Sequence, residues 1–122
     1  MSKSLRYTFL VHAVVALVFG LPLLIMPGQV LDLFGWEPID PIMSRLFGAA
    51  LLALSWGSYR SWRAAVRSDV AILLQAEVVF TVLSAVGIGR HLLSGSWPWY
   101  VWMMFIIFVI FAVAWIYHLL RK

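Results

Sequence analysis

Four long apolar runs, separated by short clusters of glycine, proline and charged residues, organise this chain. They extend over about residues 5–26, 41–62, 69–91 and 98–120. Each matches the roughly 20 residues that a helix needs to cross a bilayer. Continuous apolar runs lack the alternation of a transmembrane strand, and only helices or closed barrels satisfy their backbone groups in lipid. The predicted fold is therefore all-α, a four-transmembrane-helix bundle forming a single integral membrane domain over residues 1–122.

The punctuation between runs sets the boundaries. Gly20 and Pro22 interrupt the first run late, so Pro22 is expected to kink or loosen its outer end, and Pro27-Gly28 closes it as a turn. From Gln29 to Asp40, apolar Val30, Leu31, Leu33, Phe34 and Trp36 mix with Asp32, Gly35 and Glu37. That segment is too short to cross and too apolar to float free, so it is expected to lie in the interface with Trp36 at headgroup level. Asp40-Pro41 reads as an N-cap followed by proline at the first helical position. Ser68-Asp69 reads as the cap and acidic first turn of the third run, and Ser96-Trp97-Pro98 opens the fourth.

Small residues four apart form ridges that let helices approach closely in lipid. The first run offers Thr8, His12, Ala16 and Gly20, the second Ala49, Ala53, Gly57 and Ser61, and the third Glu77, Thr81, Ala85 and Gly89. The fourth, with Trp102, Met103, Phe105, Phe108, Phe111 and Trp115, has no such ridge. The first three helices are thus expected to form a tight core, with the fourth covering it, facing lipid or meeting a second copy.

The polar residues fall on the same ridges. At about 1.5 Å per residue, His12 and Glu77 both come out roughly 10–12 Å deep on parallel helices. Ser55, Trp56 and Tyr59 reach a similar or shallower depth, and Thr81, Ser84 and His91 extend a polar stripe along the third helix. A carboxylate in hydrocarbon must be neutralised, paired or put to use. Two readings of Glu77 stay open: a protonated group that bonds a carbonyl or His12, or one that exchanges a proton or cationic ligand. Gln75 points away from Glu77 and is expected to bond a neighbouring helix or a second subunit.

Composition narrows the field further. Of 122 residues 64% are hydrophobic and 11% charged, which excludes an ordinary soluble domain. The net charge of +4 comes from basic residues at helix ends rather than one aromatic-lined patch, which argues against nucleic acid. Lys3, Arg6, Arg60, Arg63, Arg67, Arg121 and Lys122 fall on one side and only Arg45 and Arg90 on the other. Both termini are therefore expected to be cytoplasmic. Opposite them, Asp32, Glu37 and Asp40 can form interfacial pairs with Arg45 and Arg90, and His91 lies at that level too. The first run is too long for a signal peptide and no small-x-small cleavage site follows it, so a permanent span is expected.

With no cysteine there is no disulfide, thiolate nucleophile or thiol redox pair. His12, His91 and His118 stand at different depths without metal-ligand spacing, so no metal, haem or other cofactor is expected. No nucleophile triad, phosphate loop or paired carboxylates are present, and an enzyme is the least favoured class.

The stretches Pro27-Gly28-Gln29-Val30-Leu31-Asp32-Leu33-Phe34-Gly35 and Arg45-Leu46-Phe47-Gly48-Ala49-Ala50-Leu51-Leu52-Ala53-Leu54 resemble small, mostly uncharacterised bacterial four-helix membrane proteins. These are similar in size and layout to the DoxX-like group. The resemblance covers the first half, with the second half alike only in hydropathy. It implies a four-helix fold in a bacterial inner (plasma) membrane and transfers no functional residue. Small multidrug exporters also have four helices and one embedded glutamate, but theirs lies in the first helix. Small fluoride channels carry a polar track with phenylalanine pairs that is not recognisable here.

The preferred expectation is a small membrane protein that binds or passes a small apolar or cationic ligand, with Glu77 as a proton-sensitive group. Its site would use Glu77, His12, Thr81, Ser84, Ser55 and Tyr59, with Arg45, Arg90, His91 and Asp40 at the outer interface. The alternative is a structural or accessory subunit that associates with other membrane proteins. Membrane lipid is a partner in either case, and monomer and homodimer both fit.

Overall fold

The computed structural model describes residues 1–36 and 40–121. Glu37, with its two followers, and Lys122 lie outside the described residues. The chain divides into two compact units, Met1–Ala65 and Val66–Lys122. Each is a pair of long antiparallel helices, and among the described residues there is no strand.

In the first unit, α1 spans Lys3–Ile25 and opens on Ser2, whose Oγ accepts from the Leu5 N–H at 3.2 Å. The helix continues for a turn past Pro22, and the Met26 N–H donates to the Pro22 carbonyl at 2.8 Å. The chain turns at Met26 rather than at Pro27-Gly28. Pro27 instead starts α2, Pro27–Leu33, because its fixed φ suits the first helical position and its missing N–H is not needed there. This short helix stops at Gly35, whose φ of +71° is a conformation glycine adopts without Cβ strain. The Gly35 N–H reaches Asp32 O at 3.0 Å and the Trp36 N–H reaches Leu31 O at 2.9 Å, a paired closure that satisfies two orphan carbonyls.

As expected from Asp40-Pro41, α3 spans Pro41–Arg63, with Asp40 Oδ1 accepting from the Ile42 and Met43 N–H groups, each at 3.1 Å. It runs back along α1. Near the turn, Gly20 and Gly48 meet backbone to backbone: a Cβ on Gly48 would stand 2.7 Å from Gly20 O and from Leu24 N. At the far end, Arg6 Nη1 donates to Trp62 O at 3.1 Å. The buried face of α3 is Gly48, Leu51, Ser55, Ser58 and Ser61, which keeps only Ser61 of the expected ridge of Ala49, Ala53, Gly57 and Ser61. Ala49 and Ala53 are exposed. A serine hydroxyl in an apolar setting needs a partner and an alanine methyl does not, so the serines turn toward α1.

The second unit opens with a 3₁₀ turn, Arg67–Val70, that leads into α4, Ala71–Leu93. The expected Ser68-Asp69 cap is not formed. Both residues lie inside the 3₁₀ turn, where i→i+3 bonding such as Asp69 N–H to Val66 O at 3.2 Å tightens the entry. After α4, α5 spans Trp99–Leu120. The two pack through Phe80 edge-on to Phe108, ring centres 5.7 Å apart, and through Gly89, where an added Cβ would stand 3.0 Å from the Phe105 ring. Arg67 reaches the end of α5, donating through Nη2 to His118 O at 2.5 Å and Leu119 O at 3.2 Å.

The two units share a pattern. In α1 the buried residues Leu5, Phe9, His12 and Ala16 step by four, three and four; Val70, Leu74, Glu77 and Thr81 repeat those steps in the second unit. On the returning helices, Ser55, Ser58 and Ser61 match Ala112, Trp115 and His118. The 3.6-residue period explains the steps. It does not require the one ionisable side chain to fall third in both stripes.

Among the described residues three segments are long and apolar enough to cross a membrane: α1, the Arg67–Leu93 stretch containing α4, and α5. With 23 residues, α3 has the length of α1 but carries Arg45, Arg60, Arg63 and a line of serines, which lowers its apolarity. The chain is accordingly an all-helical membrane protein.

Candidate functional site

The polar residues of the first unit lie on the α1–α3 seam. Because α1 presents His12 and Ala13 on its buried face and α3 presents Ser55 and Ser58 opposite them, two side-chain bonds join the helices. Ser55 Oγ donates to Ala13 O at 2.6 Å. His12 Nδ1 and Ser58 Oγ share a hydrogen bond at 2.8 Å, its direction set by the imidazole tautomer. In an apolar medium such interhelical bonds contribute on average about 0.6 kcal/mol, up to roughly 1.7. Tyr59 does not join this seam. It points outward, 40% exposed, with its ring 5.9 Å from those of both Trp56 and Trp62.

In the second unit, Glu77 is 0% exposed and Thr81 is buried one turn further on. Thr81 Oγ1 donates to Glu77 O at 2.7 Å, which returns the hydroxyl to its own helix. Ser84 follows, half-buried. Further along the expected ridge Ala85 and Gly89 are half-buried, and Gly89 seats Phe105 of α5, the helix expected to lie outside the tight core. Gln75, on the other side of α4, is exposed.

The residues expected at the outer interface do different things. Asp40 caps α3, Arg45 and Arg90 are exposed, and the exposed His91 ring packs on Trp97 at 4.0 Å between centres. Ser94 Oγ donates to His91 O at 2.6 Å and helps close α4.

Ser58 was missed by sequence reasoning, although Ser55, Ser58 and Ser61 form a polar line at steps of three that marks one face of a helix. The capping roles of Arg6 and Arg67 were also missed, because a basic residue near a helix end reads first as a topology signal. Among the described residues no group of three His, Asp or Glu side chains converges as a metal site.

Comparison with protein-family models, with curated proteins and with solved structures found no match. The class is set by the fold itself, paired long helices with three segments able to cross a membrane and a fully buried carboxyl group in one of them.

Proposed function

We propose that this protein is a small four-span membrane protein with both termini cytoplasmic that binds or passes a small apolar or cationic ligand, with Glu77 as its proton-sensitive group. The observation that carries the reading is the complete burial of Glu77 within an apolar, membrane-length segment. An ionisable group at such a position is costly to maintain, and its common uses are proton exchange and cation recognition. Thr81 and Ser84 lie on the same helix, one and two turns beyond it, Thr81 buried and Ser84 half-buried. In this reading α3 also crosses the bilayer, since its buried serines bond to α1 and its arginines stand near its ends. The DoxX-like layout of the first half is consistent with four crossings.

The test is uptake of tetraphenylphosphonium, a lipophilic cation, into proteoliposomes under an imposed pH gradient. Gradient-driven uptake that disappears in Glu77→Gln is the expected result. If the wild type moves neither the cation nor protons, and Glu77→Gln changes only the melting temperature, the carboxyl group is a structural element and the accessory-subunit reading takes over.

A further inference from the structure

The outward side of α3's last two turns is neither apolar filler nor part of the serine seam. Trp56, Tyr59, Arg60 and Arg63 fall at steps of three, one and three, which puts them on one stripe of the helix. Trp56 is 62% exposed, and both arginines are exposed. Each guanidinium stands by an indole, Arg60 at 6.0 Å from the Trp56 ring centre and Arg63 at 6.0 Å from that of Trp62. Arg6 comes to the same end of the pair, tied to Trp62 O. The described acidic residues of this unit, Asp32 and Asp40, lie at its other end.

We propose that this face is a docking surface for the headgroup of an anionic phospholipid. The charge is complementary and is not locally compensated by the described carboxylates of the same unit. The chemistry is specific as well. A planar guanidinium recognises phosphate oxygens through two parallel N–H donors, and each guanidinium here stands at the edge of cation–π reach of an indole, 6.0 Å from the ring centre. Arg60 and Arg63, about 5–6 Å apart at Cβ on adjacent turns, can grip one phosphodiester from two sides. The Trp56 and Tyr59 rings suit the glycerol and upper acyl region below it, as aromatic residues do at membrane interfaces. The surface rests on the membrane reading of the helices and is independent of any role for Glu77.

The experiment is native mass spectrometry of the full chain released from nanodiscs of equimolar phosphatidylglycerol and phosphatidylcholine. The wild type is expected to retain phosphatidylglycerol with more than the roughly thirtyfold enrichment that the charge of two basic residues alone provides at an anionic surface. Arg60→Gln with Arg63→Gln should bring retention to parity, while Arg90→Gln leaves it unchanged. Arg60→Lys with Arg63→Lys keeps the charge and should fall back to about the thirtyfold level of charge alone; full wild-type enrichment there reduces the effect to diffuse attraction and overturns the assigned surface. Equal retention of both lipids by the wild type overturns it outright. A chain that does not enter nanodiscs at all overturns the membrane reading and this surface with it. Helical content by circular dichroism, expected unchanged because both arginines are exposed, separates lost binding from lost fold.

Discussion

Gly20 and Gly48 touch through their backbones, with the Gly20 carbonyl oxygen 2.7 Å from where a side chain on Gly48 would begin. Neither helix backbone can yield without separating the pair, so the contact sets how closely α1 and α3 approach. Gly48→Ala should destabilise the protein by about 1–3 kcal/mol, the usual cost of forcing a methyl into a packed site. Gly20→Ala, whose nearest neighbours are 3.0 Å away, should cost less. Gly87→Ala meets nothing within 4 Å and should be neutral or stabilise by up to about 1 kcal/mol through helix propensity. Thermal unfolding in detergent, followed by circular dichroism, checks the order.

Ser58→Ala removes the hydroxyl that shares a hydrogen bond with His12. A double-mutant cycle combining it with His12→Ala should return a coupling of about 0.6–1.7 kcal/mol, the range for side-chain bonds between membrane helices. Ser55→Ala should behave independently, because its bond goes to the Ala13 carbonyl rather than to a side chain. Additive losses from Ser58→Ala and His12→Ala would show that the seam is held by shape alone.

Arg67→Leu leaves the His118 and Leu119 carbonyls at the end of α5 without their guanidinium donor. Those carbonyls belong to the last turn, which has no intrahelical partners for them. Faster amide exchange confined to the last turn of α5 is expected, with Arg67→Lys intermediate. Arg6→Leu should produce the same local signature at the end of α3, where the Arg6 bond is to Trp62 O. Hydrogen exchange resolved by peptide mass spectrometry distinguishes such fraying from global loss of stability.

The native chain has no cysteine, so single cysteines report sidedness without background. Gly95→Cys, beyond the end of α4, should react with a membrane-impermeant maleimide added to intact cells. Ser68→Cys, in the 3₁₀ turn before α4, should react only after permeabilisation. Labelling of both from outside would exclude the proposed orientation.

Much of the fold was legible because hydropathy and turn chemistry are local. Asp40-Pro41 fixed the start of α3 to the residue, and of the Thr8, His12, Ala16, Gly20 ridge of α1 the last three are buried while Thr8 is only half-buried, its hydroxyl on Ser4 O. The face of α3 was not legible from size alone. Alanine and serine are both small, and the choice between them was made by hydroxyls seeking acceptors on a helix far away in sequence, as Ser55 and Ser58 do. The same limit explains Ser68-Asp69. Its cap signature was genuine, yet the entry to α4 tightened into a 3₁₀ turn whose basic first residue, Arg67, is engaged by α5. Of the candidate site, the burial of His12, Glu77 and Thr81 was readable from periodicity, that of Ser55 was not because it lies off the ridge read for α3, and the outward turn of Tyr59 followed from the aromatic and cationic neighbours that surround it.

The matched stripes of the two pairs make the chain its own control. Leu5 and Val70, Phe9 and Leu74, and Ala16 and Thr81 hold matching places in the two buried stripes, and so do His12 and Glu77. Whatever a neutral amide does when written into one place can be compared with what it does in the other, inside one molecule and one membrane. Between them, the imidazole and the carboxyl group become two spellings of one place in the pattern.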